Sequence, residues 1–271
     1  MAVSKCCHYL KCINLAAKVC TSARLSSYCQ PMRCMSTITK PGLDLTFEKY
    51  EGKEIALVRM TNDDNRLSPQ VIDDFGTLLS EIESNKSCQI LITTGQGKYF
   101  SNGLDKDHVA SLDSEGLRKY LEHLSQLLLR LLVLPMVTVA AVNGHAFAGG
   151  AFLALSHDLR AMRSDRGWLS WNEIFVSIRF PTVLLQLVRQ KIPPNHHSQA
   201  IVFGKRFTAP EALQAGIVDH ITEEGRLLED AKLLANQLFG PQGFNRDLLK
   251  TFKNDLYRPV LELFPQAKKS V

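Results

Sequence analysis

Val139-Ala140-Ala141-Val142-Asn143-Gly144-His145-Ala146-Phe147-Ala148-Gly149-Gly150-Ala151-Phe152-Leu153-Ala154-Leu155 reads as a buried strand that runs into a Gly-Gly turn, and the turn opens an apolar helix. A helix start carries backbone N–H groups with no partner inside the helix, and negative charge is stabilised beside them. A pair of such groups can hold an oxyanion without any charged side chain. This stretch leaves open which oxyanion that is.

Outward from it, strands and helices alternate. Leu43–Lys49 and Glu54–Met60 read as paired strands around Tyr50-Glu51-Gly52-Lys53. Ser68 and Pro69 have the cap and first-position chemistry of a helix, and Val71, Phe75, Leu78, Leu79 and Ile82 then recur at helical spacing. Cys88–Thr93 is a short apolar strand, and Gly95-Gln96-Gly97 begins a turn towards Phe100-Ser101-Asn102-Gly103-Leu104-Asp105. A long helix from about Ser114 to Leu134 stops before Pro135. Met136–Val142 and Leu159–Arg163 are further strands, and helical patterns follow near Thr182–Lys191, Pro210–Ala215, Leu227–Phe239 and Arg246–Leu256. The alternation predicts the α/β class, with a core over 43–205 and a helical C-terminal region over 206–271.

Residues 1–43 have a different composition. They hold Lys5, Lys11, Lys18, Arg24, Arg33 and Lys40, and the first acid is Asp44. Frequent serines and the absence of a long apolar core match a transit peptide over 1–35, cut after Met35, rather than a secretory signal. A basic tail that stays attached is the alternative. Residues 1–35 contain five basic side chains and no acid, so without them the formal charge falls from +5 to zero. The overall basicity is therefore no argument for nucleic acid. Six of the seven cysteines lie in that segment and only Cys88 lies in the body, which points to a reducing interior such as the mitochondrial matrix. No apolar run reaches the roughly 18 residues of a membrane span.

Covalent and metal chemistry lack their parts. There is no Gly-x-Ser-x-Gly, Cys88 lies mid-strand, and no His/Cys/Asp/Glu spacing resembles a metal site. Gly95-x-Gly97 lacks the rest of a dinucleotide fingerprint. His145 has apolar neighbours and reads as structural. His157 and Asp158 are adjacent on one element and diverge, so Asp158 reads as structural too. His196 and His197 read as a helix start at the surface, and Asp105 as a helix cap. Acid–base chemistry beside a backbone oxyanion site remains.

Several segments, in order, resemble the crotonase superfamily, the enoyl-CoA hydratase/isomerase group. They are Ile92-Thr93-Thr94-Gly95, Lys98-Tyr99-Phe100-Ser101-Asn102-Gly103-Leu104-Asp105, Pro135, Ala140–Ala146, Ala154-Leu155-Ser156-His157-Asp158 and Met162–Gly167. The last two are most similar to plant-type Δ3,Δ2-enoyl-CoA isomerases. The resemblance covers roughly Leu43 to Phe239. It implies a crotonase (ClpP-like) spiral of ββα units and homotrimers that can pair into hexamers. It also implies an acyl-CoA thioester substrate, with CoA part of the substrate and no separate cofactor. The oxyanion donors carried over by position are the N–H groups of Leu104 and Gly149. Ser101, Asn102, Gly103, Asp105, Gly150 and Phe152 are the matching substrate-site positions.

The family commonly places catalytic glutamates at two positions. One, three residues after the second donor, is Phe152 here, which cannot transfer a proton. The other matches Glu173 in Ser170-Trp171-Asn172-Glu173-Ile174. Burial among Trp168, Trp171, Ile174 and Phe175 is expected to raise its pKa. Hydration typically uses two glutamates, whereas moving a double bond needs one base. The resemblance with a single Glu173 therefore implies isomerisation of 3-enoyl-CoA to trans-2-enoyl-CoA. A hydratase or another crotonase-type lyase or hydrolase, and a non-catalytic CoA-binding protein, are the alternatives. An RNA binder of this fold would need a basic exposed helix, and Ser68–Asn85 has Asp73, Asp74, Glu81 and Glu83 but no Lys or Arg. Lys98, Lys106 and the segment Lys191 to Arg206 are candidates for the CoA phosphates.

Overall fold

A computed structural model describes residues 37–240 and 243–264. The transit-peptide segment, with its cleavage point after Met35, lies outside the described residues.

Among the described residues, ten strands form two sheets. Seven run in the order β1 (Thr37–Lys40), β2 (Leu43–Tyr50), β3 (Lys53–Met60), β4 (Cys88–Gly95), β6 (Val137–Val142), β8 (Leu159–Arg163) and β10 (His220–Thr222). The first three pair antiparallel, and every later pairing is parallel. The small sheet is β5 (Tyr99–Ser101), β7 (His145–Phe147) and β9 (Leu169–Ser170), also parallel. Each of β4, β6 and β8 is thus followed by a short strand of the second sheet. A helix closes each unit: Ser114–Leu132, Gly149–Leu155 and Thr182–Lys191. This is the expected spiral of ββα units.

The turn from β6 to β7 explains why Asn143-Gly144 stands there. The Asn143 carboxamide accepts from Gly95 N–H at 2.9 Å. A Cβ on Gly144 would come within 2.1 Å of Lys98 O.

Parallel strands buried on both faces read as continuous apolar runs, and β6 is buried at every position. One face (Ile55, Ile90, Ile92, Val139, Ala141) packs on Leu227, Ala231 and Ala235 of the helix Leu227–Asn236. The other (Ala56, Val58, Leu91, Ala140, Val142) packs on the helices Pro69–Ser84, Ser114–Leu132 and Gly149–Leu155. Ser68 caps Pro69–Ser84 as expected, accepting from Val71 N–H at 3.3 Å. Among its described residues, the regular structure of the C-terminal region is helical apart from β10, which joins the large sheet beside β8.

The set-aside histidines and Asp158 have structural partners. His157 bridges Leu153 O (2.9 Å) and Thr93 Oγ1 (2.8 Å), and burial pushes its pKa down to about 3, so it is neutral. His145 accepts from Trp168 N–H at 3.2 Å and stacks on Phe147. His196 ends one short turn and His197 precedes the next. Asp158 accepts from Thr138 N–H (2.8 Å) and from Lys253 Nζ (2.6 Å). No helix among the described residues is long and apolar enough to cross a membrane.

Candidate active site

The two arms of the backbone site arise differently. Gly149 is the first residue of its helix, so its N–H has no acceptor within that helix. The preceding Ala148 sits at φ 51°, ψ −121°, a region that costs a non-glycine residue about 1–3 kcal/mol. Its own N–H is tied to Ser170 O of β9 at 2.9 Å, which holds the turn.

Leu104 lies in a loop. It forms an isolated parallel bridge with Leu67, in which Leu67 N–H donates to Gly103 O at 2.8 Å. In a strand-like segment the N–H of a residue points opposite to the carbonyl before it and the N–H after it. With Gly103 O turned towards Leu67, the Leu104 N–H points to the other side. Gly149 is close by: a Cβ on it would lie 3.6 Å from Leu104 N. Gly103 is at φ +80°, and a Cβ there would be 2.8 Å from Phe147 O and 3.0 Å from Gly149 N. Only glycine lets the two arms come this close.

Leu104 and Gly149 face a cavity of about 360 Å³, whose wall includes Asn102, Phe147, Phe152, Asn172, Glu173 and Phe180. Glu173 is its only carboxylate among the described residues. It opens a single 3-10 turn, Glu173–Val176, directly after β9 and Asn172, and Ser177 ends the turn in the left-handed region at φ 56°. Glu173 is 7% exposed and its Oε2 has no hydrogen-bond partner. Desolvation, opposed by its own backbone N–H, pushes its pKa up to about 8.

The apolar surroundings differ from the sequence expectation. Trp171 is buried, but Ile174, Phe175 and Trp168 are exposed. The 3-10 turn sends the Ile174 and Phe175 side chains outward. Among the apolar residues that share the cavity with Glu173 are Phe152, Val176 and Phe180. Phe152 is fully buried and meets Trp171 and Phe180 edge to face, with ring centres 6.2 and 5.5 Å away.

The other matching positions divide. Asn102 lines the cavity. Ser101 and Gly150 lie behind its wall. Ser101 Oγ donates to Asn65 O at 2.7 Å and accepts from Gly103 N–H at 3.2 Å. A Cβ on Gly150 would be 2.3 Å from Ser101 O. Both shape the oxyanion loop from the rear. Asp105 caps the helix Lys106–Ala110 and pairs with Arg66 at 3.3 Å.

Of the cations, Lys106 lines the cavity, as does Arg179, which sequence reasoning passed over although it lies between Glu173 and Pro181. Lys191 turns inward instead. It is pushed down by burial to about 7 and donates to His157 O at 2.9 Å. Lys205 pairs with Glu211 at 3.2 Å, Lys98 lies over the Tyr99 ring and Arg206 over Phe147 and Trp168.

A family model described as enoyl-CoA hydratase/isomerase matches residues 50–268. The chain belongs to the enoyl-CoA hydratase/isomerase, or crotonase, family. It is 37% identical over 194 residues to enoyl-CoA delta isomerase 2, peroxisomal, of Arabidopsis thaliana, covering 66% of this chain and 80% of that one. It is 33% identical over 220 residues to enoyl-CoA delta isomerase 3 of the same plant, covering 78% and 91%. Among solved structures, human mitochondrial delta3-delta2-enoyl-CoA isomerase superposes with a TM-score of 0.74 at 25% identity, covering 83% of this chain and 88% of that one. The chain is an enzyme of this family that acts on enoyl-CoA substrates, and its relatives divide between isomerases and hydratases.

Proposed function

We propose that the chain isomerises 3-enoyl-CoA to trans-2-enoyl-CoA, with Glu173 as the single base and the Leu104 and Gly149 N–H groups holding the thioester oxygen. What carries this assignment is that Glu173 is the lone carboxylate among the described residues lining the cavity, with an apolar Phe152 in the same lining.

The step balances without water. Glu173 takes a proton from C2, and the electron pair spreads onto the thioester oxygen and, through the C3–C4 double bond, onto C4. Two preorganised donors stabilise that charge, each by about 3 kcal/mol. The same carboxyl group returns the proton to C4, and the double bond then joins C2 and C3. A carboxylate raised to about 8 is a stronger base than an ordinary one, which suits a weakly acidic α-proton. Phe152 and Phe180 keep that part of the cavity apolar, which protects a dienolate from water. Lys106 and Arg179 are the cations proposed for the CoA phosphates.

We place this reaction in fatty-acid β-oxidation and, from the acid-free basic segment ahead of Ser36, in the mitochondrial matrix, in a homotrimer or hexamer. The deciding experiment incubates the purified protein separately with 3-hexenoyl-CoA and trans-2-hexenoyl-CoA and identifies the products by mass. Conversion of the first without gain of water supports isomerisation. Formation of 3-hydroxyhexanoyl-CoA as the faster reaction overturns it in favour of hydration.

A further inference from the structure

The Leu104 arm is held by a side chain from a distant helix. A parallel bridge has two rungs. At Leu67 and Leu104 the first is Leu67 N–H to Gly103 O, and the second would run from Asp105 N–H to Leu67 O. The Tyr120 hydroxyl enters that second rung. It accepts from Asp105 N–H at 3.2 Å and donates to Leu67 O. Leu104 therefore lies between two anchored neighbours, and its N–H direction follows from both.

Tyr120 is 5% exposed, on the helix Ser114–Leu132, edge-on to the His108 ring at 5.0 Å. Burial pushes its pKa up to about 12, so the hydroxyl stays neutral and can donate and accept at once. One turn further along, Leu124 of the same helix lies against the other arm: a Cβ on Gly149 would be 3.2 Å from its side chain. Residues four apart share a helix face. A single rigid element thus touches both arms and sets their separation. The Arg66 guanidinium pairs with the Asp105 side chain, but it is half-exposed and does not reach the backbone rung.

We propose that Tyr120 is a positioning residue for the oxyanion pair, fixing the Leu104 N–H towards Gly149. This rests on the thioester-binding reading of the site above. Without the hydroxyl, Asp105 N–H and Leu67 O lose the group that bridges them, and the loop can turn the Leu104 donor off its target while Glu173 and the cavity wall stay in place.

The test reads the thioester carbonyl itself. Hexanoyl-CoA labelled with carbon-13 at the carbonyl is bound at saturation to the wild-type chain and to Tyr120→Phe, and the infrared difference band is recorded. In wild type the band is expected below its position in water; in Tyr120→Phe it is expected to move back part of the way. Turnover of 3-hexenoyl-CoA is expected to fall about tenfold or more in kcat, with KM changed little and the pH profile keeping its midpoint. A band lowered equally in both proteins overturns the role of Tyr120 and leaves the site intact. A wild-type band that is not lowered overturns the oxyanion reading, and the role of Tyr120 with it. If Tyr120→Phe does not fold, 3-fluorotyrosine at position 120 keeps the shape but weakens the hydroxyl as acceptor. A smaller lowering of the band is then expected, and an unchanged band overturns the proposal.

Discussion

Two walls of one cavity have opposite characters. The helix Gly149–Leu155 is buried at every position and carries no titratable side chain. The turn Glu173–Val176 buries one carboxylate and exposes the three apolar residues after it. The helix wall offers a backbone N–H and a packed aromatic ring, and the turn wall offers one desolvated base. In the proposed reaction, proton transfer therefore falls to the turn wall and charge stabilisation to the helix wall together with the Leu104 loop. The position where a second acid could sit is filled by Phe152, closed in by Trp171 and Phe180.

The turn wall can be broken with one atom. Glu173→Gln keeps the shape and removes the base, and turnover of 3-enoyl-CoA is expected to fall about a thousandfold or more. Acyl-CoA affinity, measured by calorimetry, should change by less than about threefold. Turnover within tenfold of wild type would remove Glu173 from the mechanism and leave the cavity without its carboxylate role. The approach of the Leu104 loop to the helix wall is tested next, through Gly103→Ala. The added methyl meets Phe147 O at 2.8 Å and Gly149 N at 3.0 Å, on a backbone at φ +80°. The two donors are forced apart, so kcat should drop about a hundredfold and stability by about 1–3 kcal/mol, read by stopped assays and urea denaturation. Wild-type turnover in that variant would mean that the donors need not be adjacent.

How much of this was legible in the sequence differs between the walls. The Gly149 arm is local: strand, turn and helix follow one another within seventeen residues, so spacing and glycine chemistry reveal it. The helix Arg246–Leu256 and the end of Ser114–Leu132 before Pro135 were legible for the same reason, a periodic face with local stop signals. The small sheet was not. Its strands β5, β7 and β9 have three, three and two residues, too few for a period, and their rungs come from chain segments far apart. β10 is likewise three residues long and exists through its pairing with β8. Tyr120 shows a weak signal: a hydroxyl on the same helix face as Leu124 and Leu128 needs a polar partner when buried, but the sequence does not name Leu67 and Asp105. Glu173 was legible as a residue, whereas the source of its desolvation was not, because a 3-10 turn sends Ile174 and Phe175 outward.

The difference between the walls also sets the pH dependence. As the proposed base, Glu173 must be ionised to act, and its pKa is raised to about 8 by burial. The logarithm of kcat/KM should rise with unit slope below about pH 8 and flatten above it, a tenfold loss per pH unit on the acid side. Stability runs the other way. The native state keeps the Glu173 proton up to about pH 8, while the unfolded chain loses it near the ordinary glutamate value of 4.5. The native state therefore binds more protons between those values, and this group's contribution falls as pH rises through that window. Glu173→Gln should equal wild type near pH 4 and exceed it by a few kcal/mol at pH 9, measured by urea denaturation. A pH-independent difference would mean that the carboxyl group is solvated in the native state.

Phe152→Leu has the smallest expected effect and speaks most directly to the contrast between the walls. The substitution keeps the wall apolar but removes the edge-to-face contacts with Trp171 and Phe180. Leucine leaves a small cavity, so stability should fall by about 1–2 kcal/mol. Turnover should fall only severalfold, because neither donor nor base is touched. The informative readout is the product. If one base and an apolar wall are enough to decide the reaction, Phe152→Leu still releases trans-2-enoyl-CoA, with no 3-hydroxyacyl-CoA detected by mass. Appearance of the hydrated product would mean that the bulk of Phe152, rather than the absence of a second acid, keeps water from the intermediate. The helix wall would then be the part of the site that selects isomerisation over hydration.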